Sequence, residues 1–265
     1  MSTISITTRR LLRAFLPAAF MLFNQVSIAQ TIKGDYYQIK IYHYKTLRQG
    51  AVQDAYLQKS FIPMLHKKGI KSIGVFKPVE TDTADRKIYV LVPYASWKDV
   101  EPDNVSVTKP TTSTADNKAY NDAVYNDAPY TRIETILLSP FVTRPRLMMP
   151  KVSGERSKRI YELRSYESPT EAYHHNKVKM FNSGETDIFE RLGFNPVFYG
   201  SVIAGSKMPN LMYLTTFNDK QSRDEHWKAF DADAQWKGLI GDAQYKNNVS
   251  KADIIFLYPT DYSDY

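Results

Sequence analysis

Continuous apolar runs in the predicted strands constrain the fold of this chain more than any other feature. They are Ile88-Tyr89-Val90-Leu91-Val92, Leu211-Met212-Tyr213-Leu214 and Ile254-Ile255-Phe256-Leu257. A strand with one face in solvent alternates apolar and polar residues, whereas an unbroken apolar run is typical of a strand buried on both faces. We therefore expect a sheet that is covered on each side.

The chain repeats one order of elements. The first copy is predicted as strand 35–45, helix 49–68, strands 70–79 and 86–94, a weak helix within 100–128, and strand 130–139. The second is predicted as strand 159–166, helix 169–192, strands 196–204 and 211–217, helix 220–230, and strand 252–258. Both copies have the β-α-β-β-α-β order of the ferredoxin-like motif. Two helices can cover only one face of a four-stranded sheet, so the other face needs a partner, and the nearest is the sheet of the other repeat. We therefore predict an α+β fold in which both sheets form one barrel with the helices outside.

Matching residues at nearly constant spacing indicate an internal duplication. Ile41-Tyr42 corresponds to Ile160-Tyr161, Lys68-Gly69 to Leu192-Gly193, and Ile88-Tyr89 to Met212-Tyr213. We predict a first, divergent repeat over 30–139, a proline-rich linker over 140–157 and a second repeat over 158–265. The polar stretch 100–128 is interpreted as a surface insertion, with a lid over the first pocket as the alternative.

The first 29 residues predict a secretory signal peptide. Arg9, Arg10 and Arg13 precede an apolar run over 14–23, no acidic residue occurs, and Ser27-Ile28-Ala29 supplies the small residues of a cleavage site. The run is shorter than the roughly 20 residues of a membrane span. We expect cleavage near Ala29, export to the periplasm or the extracellular space, and no transmembrane segment in the mature chain.

Charge and cysteine content exclude several function classes. Cleavage removes three of 35 basic residues and none of 28 acidic residues, so the mature chain has a net charge near +4. Its basic residues are scattered among acids, and no nucleic-acid partner is predicted. The chain has no cysteine, which excludes disulfides, thiol nucleophiles and thiolate metal sites. Its five histidines lack the spacing of paired metal ligands, so no metal site is predicted.

The helix predicted over 169–192 carries two candidate site residues. Ser168 is predicted to cap it, Glu171 to complete a capping box, and Gly193 to end it. Its core-facing stripe consists of His174, Val178, Phe181, Glu185, Ile188 and Leu192. Burying His174 or Glu185 without a partner costs several kcal/mol, so each is predicted to contact a ligand or to have a structural partner.

Two further candidates lie on the first strand of each repeat. Arg164 can hold an anionic ligand group, or it can form an ion pair with Glu185 or another acid. His43 alternates with Ile39 and Ile41 and faces the same buried side, either as a ligand-pocket residue or as a core histidine. Tyr213, Trp227 and Phe230 are predicted to pack or to form the pocket wall. Our hypothesis is that His174, Glu185 and Arg164 converge between the second sheet and its long helix.

The second repeat resembles the NIPSNAP family. The matching segments are Ile160-Tyr161-Glu162-Leu163-Arg164-Ser165-Tyr166, Lys177-Val178-Lys179-Met180-Phe181-Asn182, Gly193-Phe194-Asn195-Pro196-Val197-Phe198-Tyr199-Gly200 and Met208-Pro209-Asn210-Leu211, followed by Tyr213, Phe217, Arg223, Trp227, Phe230, Asp233 and Trp236. In the first repeat, Ile62-Pro63, Gly69-Ile70, Gly74-Val75-Phe76 and Leu137-Leu138 look similar to the companion repeat of bacterial members. The resemblance implies the dimeric α-β barrel superfamily, which includes haem-degrading monooxygenases, cofactor-free monooxygenases and binding proteins.

Three functions from different classes follow. The first is an exported barrel protein that binds a small, partly apolar molecule between sheet and helix, without a predicted cofactor. The second is a cofactor-independent or haem-using oxidoreductase, which requires His174 or His43 to face an open cavity. The third is a protein-interaction module, which requires an exposed aromatic patch and no cavity. A homo-oligomer is compatible with each.

Overall fold

The computed structural model describes residues 33–100, 115 and 117–265. The predicted signal peptide and most of the polar stretch 100–128 lie outside these residues. Within the described part, no helix is both long enough and apolar enough to cross a membrane.

One closed antiparallel barrel organises the described chain. Its strands are β1 (Tyr36–Tyr44), β2 (Gly74–Pro78), β3 (Arg86–Tyr94), β4 (Arg132–Pro140), β5 (Ile160–Glu167), β6 (Pro196–Ala204), β7 (Asn210–Phe217) and β8 (Lys251–Pro259). Around the barrel they follow the order β1-β3-β2-β8-β5-β7-β6-β4. Each repeat therefore contributes four adjacent strands, and the repeats join where β2 pairs with β8 and β4 pairs with β6. This confirms the predicted α+β barrel of two ferredoxin-like repeats.

The helices lie in the connections between strands. They are α1 (Leu47–Tyr56), α2 (Ile62–Lys67), α3 (Lys118–Asn121), α4 (Glu171–Met180), α5 (Thr186–Arg191), α6 (Lys220–Ala232) and α7 (Ala234–Gly241). A π-helical turn joins α1 to α2 at Leu57–Phe61, and another joins α4 to α5 at Phe181–Glu185. Each predicted long helix is thus interrupted once. The sequence did not predict α7, which begins where Asp233 accepts hydrogen bonds from the backbone of Gln235 and Trp236.

Both faces of the strands are buried, as the apolar runs predict. Leu91 points into the barrel interior with Ile39 and Ile41, whereas Val90 and Val92 point outward into the apolar layer that contains α1 and α2 side chains. The second repeat has the corresponding outer layer, which contains Phe181, Phe189 and Phe230. The described residues therefore form three apolar layers: the barrel interior and one helix-covered layer on each side.

Two of the three residue correspondences between the repeats are wrong, because they match residues on opposite faces of their strands. Ile41 points into the barrel while Ile160 points toward the helices, and Tyr89 and Tyr213 differ in the same way. A shift of one residue exchanges the faces of a strand, so these pairs are not structural equivalents. The third correspondence is confirmed at the glycines, because Gly69 and Gly193 end their helices with φ of 82° and 77°.

Candidate functional site

A cavity of about 730 Å³ opens at one end of the barrel. Its wall combines side chains from seven of the eight strands with the loop after β6. The apolar part of the wall is formed by Ile41, Tyr89, Ile136, Val202, Met212 and Ile255. We call this space the barrel-mouth cavity.

His43 lies in the wall of the barrel-mouth cavity between two carboxylates. Its Nδ1 is 2.8 Å from Asp85 Oδ1, its Nε2 is 3.0 Å from Glu134 Oε1, and the residue is 2% exposed. Arg132 Nη2 lies 3.2 Å from the same Nε2, so the imidazole contacts groups of both charges. Burial alone would raise the pKa of Asp85, but hydrogen bonds from His43 and Lys87 outweigh it and hold that pKa below its usual value. The predicted orientation of His43 is confirmed.

The opposite wall of the cavity carries a neutral polar pair. Asn210 Nδ2 donates to Ser165 Oγ at 2.8 Å, while Asn210 Oδ1 is buried and has no partner among the described residues. Ser165 is on β5, and three strands separate β5 from β1 in either direction around the barrel. Sequence reasoning missed this pair.

The rim of the cavity carries charges of both signs. Lys207 Nζ lies 2.6 Å from Asp253 Oδ2, and Arg132 Nη2 lies 2.7 Å from Glu134 Oε1. The hydrogen bond from Lys207 outweighs the effect of burial and lowers the pKa of Asp253. These pairs leave the cavity entrance without a large excess of either charge.

Glu162 is the centre of a buried ionic cluster between the second sheet and its helices. Its carboxylate accepts from Arg164 Nε at 2.6 Å, Arg223 Nε at 2.7 Å and Trp227 Nε1 at 2.9 Å. Glu162 is fully buried. Burial alone would raise its pKa, but the hydrogen bonds and charges of Arg223 and Arg164 hold it below the usual value.

Arg164 is held on every side by this cluster. Its guanidinium carbon lies 3.6 Å from the ring centre of Trp227, and its Nη1 donates to Tyr166 Oη at 2.7 Å. Tyr166 Oη in turn lies 2.9 Å from Tyr213 Oη. The ion-pair alternative for Arg164 is therefore realised, with Glu162 as the acid.

Glu185 has a cationic partner that the sequence did not suggest. Lys177 Nζ donates to Glu185 Oε2 at 2.9 Å, and both residues are nearly inaccessible to solvent. The two are eight positions apart and would point in different directions on a regular helix, but the π-helical turn between them brings them together. Gly184, with φ of 145°, lies in that turn. Burial raises the pKa of Glu185, while the charges of Lys177 and Arg164 oppose the rise.

His174 contacts neither Arg164 nor Glu185. Its Nε2 lies 2.7 Å from Ser201 Oγ on β6, and burial, followed by the charge of His175, lowers its pKa. The predicted cap of its helix is wrong: Thr170 accepts from the backbone of Tyr173, and the buried Ser168 hydroxyl has no described partner.

The structure thus distributes the four candidate residues over three places. Arg164 and Glu185 share the helix-covered layer, His174 has a separate contact, and His43 lies in the barrel-mouth cavity. Tyr213, Trp227 and Phe230 pack around Phe189, with ring centres 4.8 to 5.7 Å from it. A ligand role for Arg164, Glu185 and His174 stays a prediction.

Neither candidate histidine is placed to be an axial ligand of haem in the barrel-mouth cavity. Both ring nitrogens of His43 face carboxylates, and His174 does not line that cavity. Within the described residues, no cluster of histidine and acidic side chains has a metal-binding arrangement.

Comparison with known proteins places the fold. A candidate monooxygenase from Lactobacillus acidophilus NCFM is similar over 85% of this chain and 94% of its own, with 11% identity and a TM-score of 0.56. An anthrone oxidase-like protein is similar over 86% and 92%, with 10% identity and a TM-score of 0.52. At such identities the likeness shows the fold alone.

The NIPSNAP resemblance is also found by comparison. A NIPSNAP family protein from Agrobacterium tumefaciens strain C58 is 19% identical, covers 44% of this chain and 98% of its own, and has a TM-score of 0.37. No curated protein matches the sequence. Residues 161–264 match the NIPSNAP family itself. The second repeat of this α-β barrel chain is therefore similar to the NIPSNAP domain over residues 161–264.

Proposed function

We propose that this protein binds a small, partly apolar molecule in the barrel-mouth cavity. The observation that carries the proposal is a cavity of about 730 Å³ whose wall combines apolar side chains with polar and charged ones. Pockets for small organic ligands have volumes of about 300–1,000 Å³. The proposal moves the site away from the helix-covered layer, where Arg164 is paired with Glu162 and Glu185 is paired with Lys177.

The side chains of the barrel-mouth cavity suit a ligand with polar ends and an apolar body. Ile136, Val202 and Met212 supply apolar contact, while His43 and Ser165 lie on opposite walls. The third function class, a protein-interaction module, required the absence of a cavity and is not favoured.

Filling the cavity is expected to abolish ligand retention. Ile136 lines the cavity, whereas the neighbouring Thr135 is exposed on the other face of β4. Ile136→Trp should remove the bound mass that native mass spectrometry detects on the wild-type protein, and Thr135→Trp should keep it. Retention of the same mass by Ile136→Trp would contradict the cavity as the binding site.

A cofactor-independent oxidoreductase is the second candidate. It is supported by the position of His43 beside an open cavity and by the similarity of the fold to that of candidate monooxygenases. In this reading, Glu134 must move to free His43 Nε2 as a general base. Oxygen uptake with anthrone as the probe, lost in His43→Ala, would support this candidate, and no uptake by the wild-type protein would reject it.

We also propose that the protein works outside the cytoplasm as a chain that starts at Gln30. The proposal is supported by the basic segment, apolar run and small residues of positions 9–29. Amino-terminal sequencing of protein from the envelope fraction should begin at Gln30. Retention of Met1 on that protein would contradict cleavage.

A further inference from the structure

We infer that the ligand presents a neutral hydroxyl group to Ser165 and Asn210. This inference rests on the proposed function and specifies the chemical class of its ligand: a partly apolar compound that bears an alcohol or phenol. The pair is the polar part of the wall that lies across the barrel from His43.

The unpartnered amide oxygen is the first evidence. Asn210 is 2% exposed, Ser165 is 5% exposed, and both line the cavity. Because Asn210 Nδ2 donates to Ser165 Oγ, the serine hydroxyl remains available to donate and Asn210 Oδ1 remains available to accept. A buried acceptor without a partner is costly, and a ligand hydrogen that reaches it removes that cost.

The hydrogen-bonding pattern then selects the ligand group. The pair offers donors and an acceptor together: the Ser165 hydroxyl and the second hydrogen of Asn210 Nδ2 can donate, and Asn210 Oδ1 can accept. Exchanging the amide oxygen and nitrogen still leaves both kinds, because Ser165 Oγ can then accept. A hydroxyl group donates and accepts, so it satisfies both. A carboxylate only accepts and an ammonium group only donates, so either leaves one buried atom of the pair unsatisfied.

The surroundings of the pair exclude a charged group for a second reason. The charged side chains of the cavity are paired: Lys87 with Asp85, Arg132 with Glu134, and Lys207 with Asp253. The neighbours of Ser165 across the strands are Met212, which is apolar, and Asp253, whose charge is already paired. A desolvated ligand charge would therefore lack a counter-ion next to Asn210.

A matched set of naphthalene compounds tests the inference by equilibrium dialysis. 2-Naphthol should bind the wild-type protein about tenfold more tightly than naphthalene, the ratio expected for a net gain of about one hydrogen bond's free energy. 2-Naphthoate should bind more weakly than 2-naphthol. Decahydro-2-naphthol separates the two hydroxyl classes, because tighter binding than 2-naphthol indicates an alcohol and weaker binding indicates a phenol.

Variants locate the selectivity. Ser165→Ala and Asn210→Leu should reduce the preference for 2-naphthol over naphthalene to within about twofold, and Ser165→Thr should keep it because the hydroxyl remains. Ser201→Ala is the control, since that hydroxyl bonds to His174 outside the cavity. The preference is a ratio within one variant, so a general loss of stability affects both probes alike.

Several results would overturn the inference. Equal binding of 2-naphthol and naphthalene would mean that the pair holds only water, and tighter binding of 2-naphthoate would mean that the ligand is an anion. In both cases, if the Ile136→Trp variant binds none of the probes, the barrel-mouth cavity is still supported as the binding site. Failure of every probe to bind the wild-type protein, with the native mass retained by Ile136→Trp, would reject the inference and the proposed function together.

Discussion

Replacing Glu162 with glutamine is expected to lower the melting temperature by about 6–12 °C. The carboxylate neutralises Arg164 and Arg223, whose side chains are 10% and 15% exposed. Removing one partner of a buried ion pair costs about 3 kcal/mol or more, and each kcal/mol corresponds to about 2–4 °C in a chain of this size. Thermal unfolding followed by circular dichroism measures the change.

Glu225→Gln is the matched control for this change. Glu225 is exposed on α6 and accepts a hydrogen bond from Gln221 at 2.9 Å, so its replacement should change the melting temperature by no more than about 1–2 °C. Equal melting temperatures for Glu162→Gln and the wild type would show that the cluster adds nothing to stability.

The effect of Glu162 should also depend on pH in a defined direction. Its pKa in the folded protein lies below its ordinary value, so its stabilisation is complete above the unfolded pKa of about 4.3. That stabilisation is lost as the pH falls through the lower, folded value. The difference in melting temperature between the wild type and Glu162→Gln should therefore narrow in acid.

Removing either member of the Lys177–Glu185 pair is expected to destabilise the protein, whereas removing both is not. Lys177→Met leaves a buried carboxylate and Glu185→Leu leaves a buried ammonium group, at a cost of about 3 kcal/mol each. The double variant places apolar side chains in the helix-covered layer, where Lys177 already lies over the rings of Phe181 and Trp236. Its free energy of unfolding should lie within about 1 kcal/mol of the wild-type value or above that value. Denaturant titration of the four proteins gives the coupling energy.

The same four proteins test the ligand role that the sequence suggested for Glu185. If Glu185 is structural, the double variant keeps the mass that native mass spectrometry detects on the wild type. Loss of that mass from a stable double variant would return the binding site to the layer between the second sheet and its long helix. Additive costs of the two single changes would show that the pair is not coupled.

The amino-acid sequence by itself determined the architecture of this protein. The runs at 88–92 and 211–214 predicted strands buried on both faces, and two copies of the β-α-β-β-α-β order then predicted one barrel. Alternation along β1 was sufficient to place His43 on the same face as Ile39 and Ile41. These predictions succeeded because the period of a strand and the need to bury apolar surface are local properties.

Only the tertiary structure decided which side chains meet. The π-helical turn at Phe181–Glu185 brings Lys177 to Glu185, and no regular helical spacing predicts that contact. Closure of the barrel places Ser165 and Asn210 across from His43, on strands distant in sequence. Periodicity gives the face of a residue, whereas its partner across a layer or a cavity depends on strand order and on the exact path of the helix.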